Sequence, residues 1–377
     1  MRVLVLHGMI TNSLEYSEKL QSYLGAQLNF VRLSKSAPID IARGYELTVF
    51  SGPQPYSGSV RLKPSQVIIT AWGDTTSNTP RLIFYEVTWA PLRDEVKNRF
   101  FACFESRSLD PKVGCVPFSN ALPNSDSRKA INGSLKDNLL IAGFADATLV
   151  LGPIGDVLRD DLYLAMCMIS SDVLNARGIS SQQDLRKRCD LASAVPESKT
   201  AAAGRALEES KFFAVTHSLG SFLLMDAQSR VAQLRADHHS SDEVLRETLA
   251  FFLLDDATIF MRANQIALLQ LSRLAARCTP EPCPNRMLRL SNDETAQPLA
   301  QMTTYVAFND VDDLLGFELP PYLPDTGLFG TLVNVSVDNP GFRIPFLFKS
   351  PTGAHINSDE NPAVIEAIVE GFDLPKP

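Results

Sequence analysis

The chain has 377 residues, of which 45% are hydrophobic and 21% are charged, a composition typical of globular proteins. Its formal net charge of −8 and its pI of about 5.3 argue against nucleic-acid binding, because that function requires a basic surface. The most apolar stretch, residues 139–151, contains Asp146 and is shorter than the ~20 residues that cross a bilayer. The sequence therefore predicts neither a nucleic-acid partner nor an integral membrane segment.

The N-terminus and the cysteines bear on the compartment. The first residues, MRVLVLHG, contain one arginine and an apolar run too short for a secretory signal, which predicts a cytoplasmic protein. Cys278 and Cys283 lie close together in a proline-rich stretch, and a disulfide between them would instead indicate a processed, exported protein. Both alternatives stay open. No cysteine spacing in the sequence is typical of a zinc site.

Short apolar runs alternate with helical patterns along the chain. Five of these runs predict strands of a central sheet: residues 2–8, 81–91, 212–216, 249–254 and 303–308. Strands that alternate with helices favour a mostly parallel sheet with helices on both faces, which is an α/β architecture.

Three further segments complete the predicted organisation of a single domain over residues 1–377. Residues 34–80, rich in Pro, Gly, Ser and Thr, predict a hairpin-like elaboration. Residues 92–205 predict a largely helical insertion. Near the C-terminus, Asn361 is placed to cap a last helix that has Pro362 at its first position.

Ser218 is the candidate nucleophile. It lies between His217 and Leu219, where the predicted strand 212–216 gives way to a helical pattern. A serine hydroxyl becomes a nucleophile when its oxygen is exposed and a base removes its proton, and a sharp strand-to-helix turn provides the exposure. Such a turn favours small residues two positions before and after the serine. Gly220 meets this requirement, whereas Thr216 departs from it. The adjacent His217 is expected to point away from the turn.

The base and the acid that such a serine needs are found late in the chain. His355 precedes the last helix in a polar loop, where its ring can turn toward a cleft. Asp310, Asp312 and Asp313 directly follow the strand 303–308, and a carboxylate there can orient the imidazole. Asp313 is the preferred acid, because apolar residues that re-enter the fold follow it, and Asp310 is the second choice.

Together, the stretches LHG, THSLGS, VAFNDVDDLLGF and GAHINSDENPAVIEAIVEG resemble the α/β-hydrolase superfamily, in its lipase- and esterase-like branch. The resemblance implies a Ser218–His355–Asp313 triad, with the backbone N–H groups of Met9 and Leu219 forming the oxyanion hole. It implies cleavage of a carboxylic ester, from a small molecule or a lipid, through an acyl-enzyme, with no metal or organic cofactor. It also implies that residues 92–205 form a cap or lid.

Two alternatives share this fold. An acyltransferase or a thioesterase would use the same triad, and a binding module would use the fold without catalysis. The presence of serine, acid and histidine in the expected order argues against the binding module, because binding alone has no need of all three.

Overall fold

A computed structural model gives the fold of the protein. The structure describes residues 1–8, 16–41, 45–48, 59–74, 76, 79–105, 145–179, 195–237, 248–270, 303–319, 330–344 and 348–372. Within these ranges, the strands are β1 Arg2–Leu6, β2 Val31–Lys35, β3 Ile39–Asp40, β4 Tyr45–Thr48, β5 Ser59–Leu62, β6 Gln66–Gly73, β7 Pro80–Thr88, β8 Phe212–His217, β9 Thr258–Arg262, β10 Thr303–Asp310, β11 Gly330–Val337, β12 Arg343–Ile344 and β13 Phe348–Lys349.

The α-helices of the same ranges are α1 Glu18–Gln27, α2 Ala90–Glu105, α3 Ala145–Leu151, α4 Pro153–Ala176, α5 Thr200–Glu208, α6 Leu219–Asp237, α7 Ile266–Gln270, α8 Pro351–Ile356 and α9 Pro362–Gly371. Short 3₁₀ helices cover Glu197–Lys199, Leu249–Leu254 and Asn357–Glu360. The predicted cap of the last helix is confirmed, since Asn361 Oδ1 accepts a hydrogen bond from the N–H of Ala363 at 3.1 Å.

A nine-stranded sheet organises these elements, in the order β11-β10-β9-β8-β1-β7-β6-β2, with β3 also paired to β6. The pairs from β11 to β7 are parallel, and β6 joins β7, β2 and β3 in antiparallel pairs. The chain is therefore α/β with a mostly parallel sheet, as predicted. Of the strands in residues 34–80, β3 and β6 belong to this antiparallel edge, whereas β4 and β5 form a separate two-stranded antiparallel sheet.

Helices cover both faces of the sheet, and β1 shows why. Successive side chains of a strand point to opposite faces, and every position from Val3 to Leu6 is fully buried. Val3 and Val5 belong to one hydrophobic cluster with residues of α1 and α9, while Leu4 and Leu6 belong to another with residues of α4, α5 and α6. A central parallel strand therefore reads as a continuous apolar run rather than an alternating one.

One strand prediction was wrong. Residues 249–254 form a buried 3₁₀ helix that packs against α4 and α5, and the strand β9 begins four residues after it ends. A short apolar run does not distinguish a strand from a buried helical turn, because both hide every side chain. The β-branched pair Thr258-Ile259 marks the true strand.

The segment 92–205 is helical where the structure describes it, through α2, α3, α4 and α5. The long helix α4 packs into the main core, with buried residues along its whole length. Its N-terminal half lies at the edge where β7 ends, since Asp161 accepts a hydrogen bond from Ser65 N–H and Gln66 pairs with Thr88. Within the described ranges, no helix is long and apolar enough to span a bilayer.

A substitution of Phe372 tests how strongly the packing of α9 on the sheet contributes to stability. The Phe372 ring is fully buried, with centroids 4.8 Å from Phe213 and 6.0 Å from Phe260. We expect Phe372→Ala to lower the free energy of unfolding by about 3–5 kcal/mol, because it leaves a cavity in the core. Phe342→Ala removes the same atoms from a side chain that is 68% exposed and should change it by less than about 0.5 kcal/mol. Equal losses in urea titrations would contradict this packing.

Candidate active site

Ser218 occupies a sharp turn at the carboxyl end of the parallel strands. β8 ends at His217 and α6 begins at Leu219, so Ser218 alone makes the connection. Its φ is +53°, in the left-handed region that L-residues rarely adopt. The Ser218 N–H donates to the carbonyl of Arg262 at 2.8 Å, at the end of the neighbouring strand β9. This turn is the strained strand-to-helix geometry that presents a serine side chain above a sheet.

Two glycines make room for the turn. A Cβ on Gly8, just after β1, would lie 2.4 Å from Ser218 Cβ, and a Cβ on Gly220 would lie 2.5 Å from the carbonyl oxygen of His7. Both distances are far inside van der Waals contact. The first turn of α6 and the end of β1 therefore approach each other as closely as backbones allow, and side chains are excluded at these two positions.

Thr216, which departs from the small-residue pattern, is accommodated by a hydrogen bond. Its side chain is fully buried, and Oγ1 lies 2.7 Å from Ser221 Oγ in the first turn of α6. Thr216 thus ties the strand before the turn to the helix after it.

The structure brings Ser218, His355 and Asp313 together from three distant parts of the chain. Ser218 Oγ lies 2.9 Å from His355 Nε2. His355 Nδ1 lies 2.9 and 2.8 Å from the two carboxylate oxygens of Asp313. An ionised carboxylate only accepts hydrogen bonds, so the neutral imidazole carries its proton on Nδ1 and donates it to Asp313. Nε2 is then left as an acceptor for the Ser218 hydroxyl.

Local turns position the imidazole and the carboxylate. His355 was expected in a loop, but it lies in the short helix α8, whose N-cap Ser350 accepts a hydrogen bond from Gly353 N–H. Asp313 follows β10 by a turn in which its N–H donates to the Asp310 carbonyl at 3.0 Å. A Cβ on Gly316 would lie 2.4 Å from Asp313 Oδ2, so a glycine there leaves space for the carboxylate.

The other two aspartates of the cluster lie elsewhere. Asp310, the second choice for the acid, accepts hydrogen bonds from the Lys349 ammonium at 2.5 Å and from Asn339 N–H at 2.6 Å. Asp312 lies 3.9 Å from the same ammonium, and its side chain is 49% exposed. Asp310 therefore joins the end of β10 to the loop that leads to His355.

His7 fastens the end of β1 through both ring nitrogens. The backbone N–H of Trp89 donates to Nε2 of His7, with 3.1 Å between the two nitrogens. Because Nε2 accepts this bond, the proton of the neutral ring is on Nδ1. Nδ1 then donates to the carbonyl of Gly8 at 2.6 Å. The ring is fully buried, and its centroid lies 4.0 Å from that of Trp89, with the two ring planes tilted by 33°. Burial lowers the pKa of His7 to about 3, so this bridge is neutral.

Of the two backbone N–H groups predicted to form the oxyanion hole, the structure describes only that of Leu219. Met9 lies outside the described residues. Leu219 is the first residue of α6, and the N–H groups of a first helical turn have no partner within their own helix. Ser218 itself is fully buried, and His355 and Asp313 are 4% and 6% exposed.

His217 is the site residue that sequence reasoning missed. It was expected to point away, yet its Nε2 lies 2.9 Å from the carbonyl oxygen of His355. The two rings meet edge to face at 5.1 Å. The strand period of two provided a signal, because His217 shares a sheet face with Phe213 and Val215, and α9, which follows His355, packs on that face.

Among the described residues, no group of three or more His, Cys, Asp or Glu side chains is arranged to hold a metal ion. Comparisons with protein-family models, with curated proteins and with solved structures found no match to this chain.

The buried His7 predicts a loss of stability in acid. Its pKa is about 3 in the folded protein and about 6.5 in an unfolded chain, so between these values only the unfolded state binds the proton. Stability is then unaffected above pH 6.5 and falls as the pH drops below it. In urea titrations, we expect the wild type to lose ~2 kcal/mol more than His7→Gln between pH 6.5 and 4.5. Parallel losses in the two proteins would show that His7 titrates normally.

Proposed function

We propose that this protein is a serine hydrolase with the α/β-hydrolase fold, and that it cleaves a carboxylic ester. The observation that supports this most strongly is the continuous line of hydrogen bonds from Ser218 Oγ through His355 to Asp313. The positive φ of Ser218 between a strand and a helix adds to it. A serine that serves only to cap a helix has no need of a buried imidazole–carboxylate pair.

The first half of the proposed reaction acylates Ser218. Nε2 of His355 accepts the hydroxyl proton while Oγ attacks the carbonyl carbon, which forms a tetrahedral oxyanion. The Leu219 N–H and the positive end of the α6 dipole lie beside this position and stabilise the negative charge. Asp313 stabilises the imidazolium that forms. The imidazolium then gives its proton to the departing alkoxide, and the acyl-enzyme remains.

The second half releases the acid. A water molecule gives a proton to Nε2 and attacks the acyl carbon, which forms a second tetrahedral oxyanion. Collapse of this intermediate returns the proton to Ser218 Oγ and frees the carboxylic acid. Every proton that moves passes through a single nitrogen of His355, so the Nδ1–Asp313 bond remains intact throughout.

Exposed apolar side chains beside the acid and the base favour an apolar ester. Val311 and Leu314 flank Asp313 and are 86% and 72% exposed, and Ile356, next to His355, is 47% exposed. Large exposed apolar side chains are a common feature of binding surfaces. This supports a lipid or other apolar acyl ester over a strongly charged substrate.

The segment 92–205 is proposed to act as the cap. The N-terminal half of α4 lies at the same edge of the sheet as Ser218. Trp89, which bonds His7, lines a small cavity with Leu92, Val150 and Ile154 of α2, α3 and α4. These contacts support a cap on the side of His7, where it would exclude water from the reaction.

A fluorophosphonate probe tests the nucleophile. We expect covalent labelling of the wild type, with the adduct on the peptide that contains Ser218 and loss of fluoride. Ser218→Ala should abolish the label while the protein remains folded, whereas Ser34→Ala, at an exposed position of β2, should label at the wild-type rate. A folded wild type that takes no label would remove the proposal.

Paired asparagine variants distinguish the two aspartates. Asp313→Asn should lower the kcat for p-nitrophenyl ester hydrolysis by roughly 10³–10⁴-fold, because an amide does not hold the imidazole in the required tautomer. Asp310→Asn weakens the contact with Lys349 and should cost about 1–3 kcal/mol of stability, with kcat per folded molecule within about tenfold of wild type. The assignment fails if Asp310→Asn has the larger effect on kcat.

A further inference from the structure

The side chain of His217 faces the helices that carry and follow His355. Alternate residues of β8 point to opposite faces of the sheet. Phe212 and Ala214 belong to the cluster with α6, whereas Phe213 and Val215 belong to the cluster with α9. His217 continues the second set. The position before the nucleophile is therefore directed at the segment that supplies the base.

The contact that His217 makes there has a defined direction. Its Nε2 lies 2.9 Å from the carbonyl oxygen of His355, and a carbonyl only accepts hydrogen bonds. Nε2 of His217 therefore carries the proton and donates it. The backbone of His355 is thus held by the residue adjacent to Ser218, while its ring contacts Ser218 itself.

Two other contacts hold the same segment. Asn339 Nδ2 donates to the carbonyl of Ala354 at 2.7 Å, and Asp359 forms an ion pair with the buried guanidinium of Arg262 at the end of β9. Of these anchors, His217 acts closest to the ring, because it bonds the carbonyl of His355 itself. It is also covalently joined to the nucleophile.

The charge state of His217 suits a permanent donor. Burial lowers the pKa of His217 well below its usual range. Positive charge on His355 or Arg262 acts in the same direction, whereas the hydrogen bond to the His355 carbonyl acts in the opposite one. A neutral ring keeps its single proton on Nε2. It also adds no positive charge next to an imidazolium on His355, 5.1 Å away between ring centres.

We propose that His217 is a positioning residue, whose Nε2–H···O=C bond to His355 sets the distance between the His355 imidazole and the Ser218 hydroxyl. This rests on the proposed function of the triad. Without the bond, the α8 backbone is released from the nucleophile turn, and the 2.9 Å contact between Nε2 and Oγ is populated less often. Misplacement by about 1 Å can cost on the order of 10²-fold in rate.

Three substitutions separate the hydrogen bond from the bulk of the side chain. His217→Gln places an amide N–H near the position of the imidazole Nε2. His217→Asn has the same amide one bond shorter and does not reach the carbonyl. His217→Ala removes the donor altogether. The readouts are the fluorophosphonate labelling rate, kcat and KM for p-nitrophenyl acetate, and the fraction of folded protein from thermal unfolding.

We expect the Ala and Asn variants to lose about 10–100-fold in kcat and in labelling rate per folded molecule, with KM nearly unchanged. The Gln variant should recover to within about fivefold of wild type. A merely structural role would lower only the folded fraction. Ala and Asn variants with wild-type rates would overturn the role of His217 but would not affect the proposed hydrolase activity. A folded Gln variant that is as slow as the Asn variant would have the same meaning. A wild type that takes no label would overturn both proposals.

A measurement independent of turnover completes the test. In long-range ¹H–¹⁵N spectra of the wild type, we expect His217 to be the neutral Nε2–H tautomer and to remain so from pH 8 to pH 5. An Nδ1–H tautomer would show that the bond to the His355 carbonyl is absent and would overturn the assignment.

Discussion

The left-handed backbone conformation of Ser218 is the constraint on which the rest of the site depends. A φ of +53° at a non-glycine residue costs about 1–3 kcal/mol and persists only where the surroundings enforce it. Here they do so from three sides. Arg262 accepts the serine N–H, Thr216 bonds Ser221 across the turn, and Gly8 and Gly220 allow β1 to pass against it. The strand order β9-β8-β1 is what brings these partners to one place.

Once this turn is formed, the remaining problem is to gather polar groups at the edge of an apolar sheet. Buried polar groups are costly unless each finds a partner. Asp310 meets Lys349 and the backbone of Asn339, and Asn339 in turn holds Ala354. A chain of bonds therefore runs from the end of β10 to α8. These bonds position His355 within hydrogen-bonding distance of Asp313, which lies three residues after Asp310.

The sequence predicted what depends on local pattern and chain order. The parallel sheet, the strand before Ser218 and the cap at Asn361 all follow from periodicity and turn chemistry. Residues 249–254 were predicted as a strand because a segment that is buried on all sides has no hydrophobic periodicity to distinguish a helix from a strand. The choice between Asp310 and Asp313 depended on which of the two carboxylates pairs with Lys349. That contact joins residues 39 positions apart, and no local sequence pattern indicates it. Met9 and the pair Cys278–Cys283 lie outside the described residues, so those predictions stand as predictions.

His7 and His217 share one physical role beside Ser218. Each is held neutral because burial lowers its pKa, and each donates one ring N–H to a backbone carbonyl beside the turn, that of Gly8 or of His355. Imidazole suits this task because its rigid ring loses little conformational freedom on ordering, whereas a lysine in the same place would bring a charge. In the proposed reaction His355 becomes positively charged twice per turnover. Because His7 and His217 are neutral, they do not repel the positive charge on His355. Asp313 is then the partner that stabilises this charge, and its bond to Nδ1 is the same in both protonation states of His355.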